Sequence, residues 1–99
     1  MKAQEKTTTI AAGKVVLLRF EDKEGKQTKI LCLLLAPIVA ENGTYHGQVH
    51  TAFATDVNTG NYIDKHPDLT KEWKLCEVND DKIIAWFYEQ VDRRKFQEN

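Results

Sequence analysis

The chain has 99 residues, 41% hydrophobic and 29% charged, with 14 Lys/Arg against 15 Asp/Glu for a formal charge of −1. A chain of this length supports one modest core burying roughly 65% of its unfolded surface, so residues 1–99 are read as a single small globular domain. The near-zero charge provides no electrostatic pull toward DNA, RNA or an anionic membrane, and no apolar run reaches the ~20 residues of a membrane-spanning helix.

Residues 1–12 are polar and threonine-rich and read as a loosely ordered lead-in, β-compatible from Thr7 to Ala11. No apolar stretch follows Lys2, so the start does not resemble a secretory signal. A cytoplasmic location with Cys32 and Cys76 as reduced thiols is therefore expected. Residues 14–21 read as a strand with Val15, Val16, Leu17 and Leu18 apolar on both faces. Residues 22–26 form a hairpin loop in which Gly25 supplies a positive φ, and the chain returns through residues 27–36. The second half of that return, Ile30-Leu31-Cys32-Leu33-Leu34-Leu35-Ala36, is apolar at every position. A strand with one wet face alternates, so this one predicts protein cover on both sides. Pro37 lacks an N–H and ends the ladder.

Glu41-Asn42-Gly43-Thr44 is a turn, Asn-Gly being a strong signal for a tight hairpin. Residues 48–56 place Val49, Thr51, Phe53 and Thr55 at alternate positions, the pattern of a half-buried strand. Asn58-Thr59-Gly60-Asn61 turns the chain again, and Tyr62-Ile63 begins a short pairing segment. Residues 66–73 read as a loop with one helical turn capped by Asp68, and residues 74–78 return to strand.

From residue 81 to 98 a helical reading gathers Ile83, Ile84, Phe87, Tyr88 and Val91 within about 140°. Asn79, Asp80 and Asp81 supply caps and negative charge at its start, and Arg93, Arg94 and Lys95 positive charge at its end, both matching the helix dipole. Glu89 and Arg93 stand at i,i+4 in the favourable order. The competing reading pairs residues 82–88 as a strand against residues 74–78. Agreement of caps, dipole and periodicity favours the helix. The expected fold is α+β, a strongly bent antiparallel sheet of four to five strands with one C-terminal helix; the alternative is a small SH3-like barrel with an appended helix.

Candidate chemistry is sparse. Residues 56–64 approach a calcium loop, with Asp56, Asn58 and Asp64 at ligand positions 1, 3 and 9. Gly60, Asn61 and Pro67 then occupy positions 5, 6 and 12, where a ligand, a glycine and a glutamate are needed, so a β-turn is the better reading. His46 and His50 share a face in an extended chain but stand about 13 Å apart, too far to bind one zinc. Cys32 lies inside the apolar strand, and Cys76 has no base at a set spacing, so both are read as structural thiols. The chain contains no serine and no phosphate-binding glycine loop. Asn42-Gly43-Thr44 matches a glycosylation acceptor but is read as a turn. No catalytic, cofactor-binding or metal residue is assigned.

The aromatic residues point to an interface instead. Trp86 falls some 60° beyond Ile83 at the edge of the helix's apolar arc, and Trp and Tyr dominate interaction hot spots. Trp86, Tyr88, Trp73 and Tyr62, with Arg93 and Arg94, are the expected interface residues. The expectation is a non-enzymatic interaction or regulatory module without cofactor, whose partner is another protein or a second copy. The alternative is a nucleic-acid-binding accessory protein of a phage or mobile element.

Overall fold

A computed structural model describes residues 6–63 and 67–97. It contains strands β1 (Thr7–Ile10), β2 (Val15–Glu21), β3 (Gln27–Leu34), β4 (Ile38–Glu41), β5 (Thr44–Gln48), β6 (Thr51–Asp56) and β7 (Asp68–Glu77), then helix α1 (Asp81–Gln97). The strands form one antiparallel sheet in the order β1-β4-β5-β7-β2-β3-β6. The fold is thus α+β with a C-terminal helix, but the described residues hold seven strands rather than four to five. β1, β4 and β5 are the additions.

The β2–β3 hairpin pairs from Val15↔Leu33 to Glu21↔Gln27. Its loop closes through Asp22, whose Oδ1 accepts the N–H groups of Glu24 and Lys26, each at 2.9 Å. The apolar run does not stay in the ladder to residue 36. A register shift at Leu33/Leu34 ends β3, and Leu35 turns outward, 57% exposed. Asn42 and Gly43 take φ of 52° and 78°, the pair of left-handed residues that a tight β4–β5 turn needs.

Two readings of the middle of the chain are corrected. Residues 48–56 are not one strand, since β5 ends at Gln48 and β6 starts at Thr51. Between them the Val49 N–H donates to the Pro67 carbonyl, and the His50 carbonyl accepts the Leu35 N–H. Nor do Ala54 and Thr55 alternate, because both are buried. Tyr62 bridges to Thr55, and Thr55 Oγ1 donates to the Asn61 carbonyl at 3.2 Å. The helical turn capped by Asp68 is absent too; Asp68 opens the ten-residue strand β7, while residue 66 lies outside the described residues. Leu69, Trp73 and Leu75 recur on one face, and β7 pairs with β5 on one side and β2 on the other. Two ladders outweigh one local cap.

The sheet is curled, and chain connectivity requires it. In a flat sheet β3 and β4, four strand spacings apart, would stand about 19 Å from one another. Their three-residue link reaches at most ~14 Å. Curling brings Ile10, Ile38 and Ala40 of β1 and β4 onto Val16, Leu18, Ile30, Cys32, Leu34 and Leu75 in one inner core. The other face carries a second core, in which Val15, Leu31 and Val78 meet Phe87 of α1. Helix α1 forms as expected, and the strand reading of residues 82–88 falls away. Asp80 caps it, Oδ1 accepting the Lys82 N–H at 2.9 Å and its carbonyl the Ile84 N–H at 3.0 Å.

Phe87 is fully buried, with its ring edge-on to Phe53 at 5.7 Å and to Tyr88 at 5.6 Å. Phe87→Ala should lower unfolding stability by about 3–5 kcal/mol, read from the denaturant midpoint. A loss under 1 kcal/mol would mean that α1 does not seal the outer face.

Candidate functional site

Helix α1 lies toward β6, where Phe87 meets Phe53. One helix is about 10 Å wide; it seals β2 at Val15, which is buried in the outer core with Phe87, but not further along that strand. Leu17 of β2 is left half-buried. The uncovered strip is a groove of about 490 Å³, open to solvent and lined by Leu17, Leu31, Val57, Val78, Ile83 and Trp86. Ile83 remains 41% exposed, although it falls within the helix's apolar arc.

Two cations border this groove, Lys29 from β3 and Lys82 from the first turn of α1. Lys29 is half-buried and stands two residues from Leu31 on β3, both lining the groove. Among the described residues neither ammonium has a carboxylate within ion-pair distance; the ion pair found there joins Arg93 and Glu89 at 2.8 Å.

The expected interface residues are dispersed. Trp86 packs on the outer core and lines the groove. Tyr88 sits on the same helix, exposed beyond Phe87. Tyr62 packs on Phe53 with ring centroids 4.8 Å apart, and with Arg93 it borders a separate polar cleft beside Asn61 and Gln90. Trp73 lies on the opposite face of the sheet, against the inner core and stacked on Phe20 at 5.3 Å. Arg94 belongs to α1, and its side chain lies outside the described residues. Sequence reasoning missed Lys29, Val57 and Val78. They are distant in the chain and no periodicity links them to Trp86. The one available signal was Leu17 and Leu31, apolar on the face opposite Leu18 and Ile30.

The suspected metal and nucleophile positions resolve into structure. Asp56 Oδ1 accepts the N–H groups of Asn58 at 2.8 Å and Thr59 at 3.2 Å, the bonding of a turn; Asp64 lies outside the described residues. Among the described residues no three His, Cys, Asp or Glu side chains gather closely enough to hold a metal. His46 and His50 are exposed. Cys32 is buried and Cys76 exposed, both free thiols.

Burial pushes the Cys32 thiol up from its ordinary 9.0 to about 12, so it stays protonated and unreactive. An acid whose folded-state pKa is raised keeps its stabilising contribution below the unfolded value and loses it as pH climbs through the folded one. Stability should therefore fall between pH 9 and 12, and more steeply than in Cys32→Val. In the native state an alkylating reagent should modify Cys76 alone; Cys32 modified at a comparable rate would contradict its burial.

Compared with known proteins, the chain matches no family model, no curated protein and no solved structure.

Proposed function

We propose that this chain is a non-enzymatic interaction module that docks another protein, or a second copy of itself, in the groove between α1 and the outer face of the sheet. The observation that carries the reading is the groove itself: an open strip walled by six apolar side chains, of which Leu31 and Val78 are buried while Leu17, Val57, Ile83 and Trp86 keep part of their surface in solvent, beside a helix that already buries Phe87. Apolar surface of this kind is costly to expose, and contiguous patches on small proteins mark interaction sites. Trp86 is half-buried and held by the outer core, so little ordering entropy is lost when a partner packs on it. A nucleic-acid partner finds less support, since a formal charge of −1 gives no overall attraction to phosphates.

Capture of a partner protein from nuclease-treated host extract, with sedimentation to detect self-association, tests the reading. Trp86→Ala should weaken capture or self-association by about 2 kcal/mol, roughly thirtyfold. Ile83→Glu, at an exposed position, should do the same while the circular dichroism spectrum stays native. Partner binding unchanged in both variants would remove the groove from the interface.

A further inference from the structure

We infer that the groove selects an acidic amphipathic segment of a partner protein, one presenting large apolar side chains next to Asp or Glu. This rests on the docking reading above and adds the chemistry of the occupant. The charged residues lining the groove are both lysines, Lys29 and Lys82, and they arise from different elements. Lys29 is half-buried among the residues that line the groove, and a long cationic side chain beside apolar surface keeps its charged head toward water. The acids beside Lys82 in sequence, Asp80 and Asp81, stand at the start of the helix, where Asp80 Oδ1 accepts the Lys82 backbone N–H. Among the described residues neither ammonium is neutralised by a carboxylate of this chain.

An occupant with apolar side chains alone would fill the groove and leave both ammonium groups at its edge without a counter-charge. One that also carries carboxylates meets them where the neighbouring apolar wall lowers the local dielectric and strengthens the pairing. The groove is an open strip rather than an enclosed pocket, whereas small-molecule sites enclose most of their ligand. That geometry suits the apolar face of a peptide segment, an established mode of recognition.

Calorimetry with the full chain tests this, using a short amphipathic peptide of leucine and glutamate and its counterparts with glutamine or lysine in place of glutamate. The glutamate peptide should bind most tightly, and Lys29→Gln and Lys82→Gln should each weaken it by about threefold. The double charge reversal, Lys29→Glu with Lys82→Glu, should transfer the preference to the lysine peptide. Both sites are at the surface, so retention of fold is checked by thermal unfolding. Equal binding of the glutamate and glutamine peptides, unaffected by the lysine variants but lost in Ile83→Glu, would overturn the charge selection and leave docking in the groove standing. Binding of no peptide at millimolar concentration would overturn the inference. Binding of a simple fatty carboxylate in preference to every peptide would overturn both it and the docking reading. Self-association abolished by the double reversal would identify the occupant as a second copy and overturn the inference as well.

Discussion

Strands β2 and β3 carry apolar side chains at consecutive positions, so both faces of their hairpin must be shielded from water. Val16, Leu18, Ile30 and Cys32 point one way; Val15, Leu17, Leu31 and Leu33 point the other. A single flat sheet cannot cover either side. The molecule answers with two different devices. On the inner face the sheet curls until β1 and β4 lie over its centre, and on the outer face α1 packs across it.

The two covers are unequal in width, and the candidate site follows from that difference. Curling closes the inner core, with Cys32, Leu34 and Val16 almost or wholly sealed. One helix over a four-strand stretch is too narrow to reach both margins. It takes the β6 side through Phe87 and Phe53 and leaves Leu17 and Leu31 bordering a groove. The open strip lies between elements that are themselves well packed.

Local signals were legible wherever the chain makes its own hydrogen bonds. The Asn42-Gly43 turn, the Asp22 loop, the Asp80 cap and the Glu89–Arg93 pair all depend on residues within four positions of one another. Segments stabilised by distant partners were not legible. β5 contains Gly47 and His46 and has no strong preference of its own, yet β7 pairs with it along most of its length. β7 itself starts at Asp68, a good cap in isolation, and becomes a strand because β2 and β5 flank it. Trp73 and Trp86 look alike in sequence, but one packs against the inner core, stacked on Phe20, and the other lines the groove.

By itself the sequence determined that one hairpin would be buried on both sides, where the tight turns fall, and that the last eighteen or so residues would form a capped amphipathic helix. Composition, spacing and periodicity act over a few residues, and those features need nothing longer. Only the tertiary structure decided how the two faces are covered. Strand order and the short β3–β4 link force the curl, and the seat of α1 near β6 sets which apolar residues stay uncovered. The meeting of Lys29 with Lys82 beside Trp86 belongs to that second class, since it depends on where a helix comes to rest on a sheet.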